Sequence, residues 1–158
     1  MKSSKSILFA LAVIAFALIG AALYLQLVEH MLPCPLCIMQ RYAFLAVGVI
    51  CLIAALLPPK AARIGAGFGL LAALAGAGVA IHHLWILAHP GMSCGIDPLE
   101  TALNKIFSAK LLPVLFKADG MCTADYAPIL GLSIPQWSLT WFVILAIALG
   151  YITFKRKR

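Results

Sequence analysis

Charge is what this chain has least of. Of its 158 residues only 11% are Asp, Glu, Lys or Arg, against about 25% in an ordinary soluble domain. Twelve bases and five acids cannot cover the surface of a water-soluble globule of this size, which excludes that class. The 64% hydrophobic content excludes disorder, which needs low hydrophobicity and high charge. Polar tracts long enough to fold separately are missing as well, so the expectation is a single domain over residues 1–158. The composition demands lipid as solvent.

Four apolar runs follow. Ile7 to Val28 is 22 residues without a charge, enough at 1.5 Å per residue to cross a hydrocarbon core of about 30 Å. Its basic start resembles a signal peptide, but the apolar run is longer than a signal h-region of about 7–15 residues and has no clear processing site, so it is expected to stay as a span. The second run is Tyr42 to Leu57, with apolar character reaching back to Leu36, and Pro58-Pro59-Lys60 stops it. Ile64 to Ala88 is rich in Gly and Ala, which lets neighbouring helices approach closely. Trp137 to Phe154 closes the set, with Trp137 and Trp141 near one end and Tyr151 near the other, as in an aromatic belt. The expected fold is an all-α integral membrane bundle with spans at about 7–28, 42–57, 64–88 and 137–154.

The few charges orient it. Lys2, Lys5, Lys60, Arg63, Lys155, Arg156, Lys157 and Arg158 fall on one side, whereas Arg41, Lys105, Lys110, Lys117 and all five acids fall on the other. Cytoplasmic loops carry the excess of Lys and Arg, so both termini are expected inside and the loops 29–41 and 89–136 outside. The net charge of +7 is then a topology signal at helix ends, and nucleic-acid binding is not expected.

Cys34, Cys37, Cys94 and Cys122 lie in the outer loops, and Cys51 lies within the second span, where a cysteine packs as a small hydrophobe. An oxidising exterior permits disulfides, but four cysteines allow three pairings, and spacing leaves the choice open. Cys34-Pro-Leu-Cys37 has the spacing of thiol–disulfide exchange and of metal sites. A c-type haem would need His at position 38, which is Ile. A zinc site from Cys34, Cys37, Cys94 and Cys122 lacks a second C-x-x-C, and no metal is expected. Arg41 stands four residues after Cys37 on the same helix face, where a cation favours a thiolate; ordinary interfacial snorkelling is the alternative.

The second outer loop is long enough to need structure of its own. Asp97-Pro98-Leu99-Glu100 reads as a helix start with Asp97 as cap, and Leu99, Leu103, Ile106, Phe107, Lys110 and Leu111 continue at helical spacing. A short helix in the interface plane, apolar face toward lipid, is expected. A Cys94–Cys122 bond across it would close a loop of roughly 29 residues, worth about 3–4 kcal/mol as a staple. His82, His83 and His89 lie near the outer end of the third span; His82 and His83 point about 100° apart, so they do not serve one site together.

Four spans, Cys34-Pro-Leu-Cys37 followed by Gln40-Arg41-Tyr42, a second cysteine pair in a long outer loop, and Pro135-Gln-Trp-Ser138 together resemble the bacterial disulfide bond formation protein B (DsbB) family over nearly the whole chain. C-x-x-C-I-x-Q-R, from Cys34 to Arg41, is the most specific element, and PQWS is an independent second match. The resemblance implies an inner-membrane oxidoreductase that reoxidises a periplasmic thioredoxin-like, DsbA-type dithiol oxidase and passes two electrons to ubiquinone or menaquinone. It implies redox-active pairs Cys34–Cys37 and Cys94–Cys122, with Cys94 meeting the partner and Cys37 facing the quinone. By the same resemblance Arg41 and a histidine, assigned to His82 over His83, complete the quinone side. A vitamin K epoxide reductase-like enzyme and a non-enzymatic scaffold stapled at Cys94–Cys122 are the rival readings.

Overall fold

The computed structural model describes residues 2–89, 96–124 and 126–154. Along the chain run α1 (Lys2–Leu27), α2 (Pro35–Leu56), α3 (Pro59–Ala88), the short α4 (Ile96–Lys105), α5 (Phe107–Leu111) and α6 (Pro113–Phe116), and finally α7 (Ile134–Phe154). Among the described residues the one β feature is a bridge between Ile129 and Leu132. It closes a tight turn in which Leu130 and Gly131 both take positive φ, as a type I′ turn requires. The helices α1, α2, α3 and α7 are long and apolar enough to cross a bilayer, so the chain is an all-α, multi-pass membrane protein.

The long helices begin earlier than their apolar runs. α2 starts at Pro35 instead of Tyr42, because Cys34 caps it: its sulfur accepts the Cys37 N–H at 3.3 Å, and Pro35 takes the first helical position, where no N–H is needed. Cys37, Gln40 and Arg41 therefore belong to the first two turns of a spanning helix and not to a loop. α3 likewise starts on a proline, Pro59. At the head of α7, Gln136 Oε1 accepts the Ser133 N–H at 2.7 Å, half of a capping box.

The bundle packs in chain order, α1 on α2, α2 on α3 and α3 on α7, while α1 and α7 barely meet. Close approach along α3 comes from a buried stripe at alternating spacings of four and three: Ala62, Ala66, Gly69, Ala73, Gly76, Ala80. Gly76 matters most, since any side chain there would run into the ring of Phe142. That ring lies wholly buried and stacked on Phe44, centroids 4.0 Å apart, which locks α7, α3 and α2 together. Side chains such as Phe9, Ile64, Leu71 and Ile147 remain exposed on the outside, where lipid covers them.

The segment between α3 and α7 forms a cap on α2. Leu103, Ala109, Phe116 and Ala118 bury Ile38, Tyr42 stacks on Phe116 at 4.4 Å, and its hydroxyl meets Ser108 Oγ at 2.6 Å. The helix expected from Asp97 through Leu111 begins at Ile96 and breaks at Ile106, whose backbone is extended. The break lets the Asn104 side chain pair with the Ala118 backbone on both sides, donating to O at 3.0 Å and accepting from N at 2.9 Å. Its apolar side is thus shared: Leu103 and Ala109 pack on α2, whereas Phe107 and Leu111 stay exposed. Cys94 lies outside the described residues.

Candidate functional site

Two loops are strapped together to make the site. Both Asp119 and Gly120 donate their N–H groups to Pro33 O at 3.1 Å, and Tyr126 donates its hydroxyl to Leu32 O at 3.3 Å. A glycine is required at 120, because a Cβ there would overlap the Leu32 carbonyl. The strap carries Cys122 to Cys34, and the two pack in one buried cluster with Leu36 and Ile86.

Three cysteine sulfurs therefore lie in series. Cys34 Sγ is 2.9 Å from Cys37 Sγ, and it also makes a hydrogen bond with the Cys122 side chain. The hydrogen bond with Cys122, then the one with Cys37, then burial push the Cys34 thiol well above its ordinary range. A buried sulfur touching both neighbours is placed for exchange in either direction.

His83 rises from α3 into the same cluster. Its Nε2 is 3.8 Å from Cys34 Sγ and 3.3 Å from Cys122 O, and its Nδ1 is 3.4 Å from Gln40 Nε2. A carbonyl only accepts, so Nε2 donates to Cys122 O and Nδ1 accepts from the Gln40 amide. His83 is 4% exposed. His82, expected at this site, faces outward and lies against Trp85, centroids 6.1 Å apart. The structure brings His83, not His82, to the cysteines, because the buried stripe of α3 continues from Ala80 to His83.

Arg41 is buried at 6% exposure, yet among the described residues the hydrogen bonds of its guanidinium go to oxygen: Nη1 to Gln26 Oε1 at 2.7 Å and Leu115 O at 3.1 Å, and Nη2 to Ala22 O at 3.2 Å. The expected reach toward Cys37 is thus a matter of shared surroundings and field, not of a bond. Gln26 also donates to Val114 O at 3.0 Å, tying α1 to α6.

Cys37 and Arg41 line one cavity of about 300 Å³ together with Gln40, His83 and Cys34. Its other walls are mostly apolar, from Leu18, Ile19 and Leu25 of α1 to Trp137 and Trp141 of α7. The cavity lies where α1 and α7 barely meet. Cys51 is far from it in function: fully buried in the bundle core, it packs among Val47, Ala54 and Ala66.

Gln26 and Gln40 join the site although neither is among the residues expected there. A signal existed for Gln26, the one amide in the run Ile7 to Val28, since a polar group inside a span needs a partner.

Fold and site together define a membrane helical bundle with a cysteine series at the mouth of an apolar cleft, a class suited to redox work at the bilayer. A family model described as "Disulfide bond formation protein DsbB" matches residues 4–152. The chain is 59% identical over 157 residues to a "Disulfide bond formation protein B" of Herminiimonas arsenicoxydans, covering 99% of both chains. It is 49% identical to one of Ralstonia nicotianae, covering 99% of this chain and 98% of the relative. A "Disulfide bond formation protein B 1" of Pseudomonas syringae pv. syringae is 42% identical, covering 100% and 94%. The chain belongs to the DsbB family, and its role is that of a membrane oxidoreductase linked to disulfide chemistry.

Proposed function

We propose that this protein reoxidises a periplasmic thioredoxin-like, DsbA-type dithiol oxidase and passes the two electrons to membrane quinone. The observation that carries the reading is the series Cys122, Cys34, Cys37 ending in a cavity that also holds Arg41. It rests also on an inner-membrane topology with both termini cytoplasmic and the loops around 29–41 and 89–136 periplasmic.

The steps conserve atoms and electrons. A partner thiolate attacks Cys94, the Cys94–Cys122 bond breaks, and Cys122 leaves with the electron pair. Cys122 then attacks Cys34, the Cys34–Cys37 bond breaks, and Cys37 becomes the thiolate. The second partner thiolate attacks the partner sulfur joined to Cys94, the mixed disulfide breaks, and the partner's disulfide is complete. Cys94 leaves as a thiolate and attacks Cys122, which re-forms Cys94–Cys122 and frees Cys34, so that Cys34 and Cys37 together hold the two electrons. Cys37 presents its thiolate at the cavity wall, and the positive charge of Arg41 offsets the negative charge arriving there. His83, donating from Nε2, keeps the Cys122 segment beside Cys34.

The cavity fits a quinone: apolar walls suit the ring and tail, and Arg41 supplies N–H donors for a carbonyl oxygen at one end. A bound ubiquinone or menaquinone supplies a two-electron, two-proton sink. That sink is needed, because a DsbA-like oxidant near −120 mV gives up nothing to a structural disulfide below about −300 mV, and each 30 mV is about 1.4 kcal/mol.

The test is a coupled assay with the full chain in detergent, a reduced thioredoxin-like partner and a soluble quinone. Quinone absorbance and partner thiols are expected to fall together. Loss of neither would favour a disulfide-stapled scaffold.

A further inference from the structure

The cysteine cluster contains a second kind of chemistry that electron transfer does not use. The ligand atoms of Cys34, Cys37 and His83 lie within 4.8 Å of one another. Two sulfurs and an imidazole nitrogen at such separations are the donor set of borderline-soft cations, which bind thiolate and imidazole at about 2.3 and 2.0–2.1 Å. The backbone is already arranged for it: Cys34 Sγ receives the Cys37 N–H, and Pro35 fixes the turn between the two sulfurs. The histidine has the support that ligating imidazoles have, a polar group on its other ring nitrogen, here Gln40 at 3.4 Å from Nδ1.

We propose that the reduced protein binds a divalent zinc-like cation through Cys34 Sγ, Cys37 Sγ and His83 Nε2, in a site that disulfide formation abolishes. Each thiol gives up its proton to solvent as its sulfur takes the cation, so no oxidant or reductant is involved. Nε2 exchanges its contact with Cys122 O for the cation, the ring proton moves to Nδ1, and the Gln40 amide turns so that Oε1 accepts it. The fourth position lies on the side of Cys122, whose sulfur packs against Cys34. The cation and the Cys34–Cys37 disulfide exclude each other, so bound metal holds the protein reduced. This site is independent of the electron-transfer reading, since it needs neither partner nor quinone.

The test uses the full chain in detergent, reduced and kept without oxygen, titrated with Co²⁺ as a spectroscopic stand-in for Zn²⁺. The expected result is sulfur-to-cobalt charge-transfer absorption with tetrahedral d–d bands, release of about two protons per ion, and loss of the bands on adding Zn²⁺ or on oxidising the thiols. Cys51→Ser retains the signal, and Gln40→Leu weakens binding about 10–100-fold, the usual loss for such support. X-ray absorption of the zinc-loaded wild type reads the ligands without any variant: a shell containing both sulfur and imidazole nitrogen is expected. Absence of cobalt bands in the reduced protein, or a zinc shell without imidazole, overturns the proposal.

Discussion

Gln26 on α1 holds Arg41 on α2: its Oε1 accepts from Nη1 at 2.7 Å while its Nε2 donates to Val114 O at 3.0 Å. The amide is thus fixed at both ends, and it fixes the guanidinium at the cavity wall. A hydrogen bond to a charged group is worth about 1.5–3 kcal/mol. Replacing Gln26 by Leu should slow quinone reduction about tenfold or more while leaving exchange with the thioredoxin-like partner unchanged. Stopped-flow measurement of the two steps checks this, and a fall in partner exchange alone would count against it.

Arg41 itself should show the same split more strongly. Arg41→Lys keeps a charge but cannot reach Gln26, Leu115 and Ala22 together, because lysine has a single point charge in place of a planar fork. Quinone reduction is expected to fall more than partner exchange in both Arg41→Lys and Arg41→Ala, read as separate rates in single-turnover mixing.

The packing of the bundle makes a prediction free of redox chemistry. Gly76→Ala pushes a methyl into Phe142 and through it into Phe44. Overpacking of this kind costs about 1–3 kcal/mol, so the midpoint of thermal unfolding in detergent should drop. Cys51→Ala, which leaves only a small gap in the same core, should cost about 1 kcal/mol and leave the redox rates intact.

Cys34 sets a pH dependence. Its thiol is held above the ordinary range by Cys122, Cys37 and burial. The folded state therefore keeps this proton where the unfolded chain, with a thiol pKa of about 8.5, releases it. The resulting stability is complete below that pH and is lost as pH rises above it. Denaturant unfolding of the reduced protein at neutral and at alkaline pH should show the loss, and Cys34→Ala should diminish it.

Much of this architecture could be read from the chain itself. Spans follow from runs that only lipid can accommodate, and the cysteine motif was visible because Cys34 and Cys37 are close in sequence. What escaped depended on contacts between distant segments. The strap from Gly120 to Pro33, which brings Cys122 to Cys34, is made by backbone groups and leaves little mark on residue type. The break at Ile106 is decided by the Asn104–Ala118 pairing and overrides a good helical pattern. His83 was distinguishable in principle: it continues the four–three spacing of Ala73, Gly76 and Ala80, and His82 does not. Gln26 shows the general rule that a polar side chain inside an apolar run marks a partner before it reveals which one.

Cys37 is the point at which the account is most exposed. The decisive measurement mixes the oxidised full chain with reduced thioredoxin-like partner and quinone, and follows quinone absorbance in the wild type and in Cys37→Ser. The account predicts one quinone consumed for each partner disulfide formed in the wild type and none in the variant. Equal quinone consumption in both would contradict it.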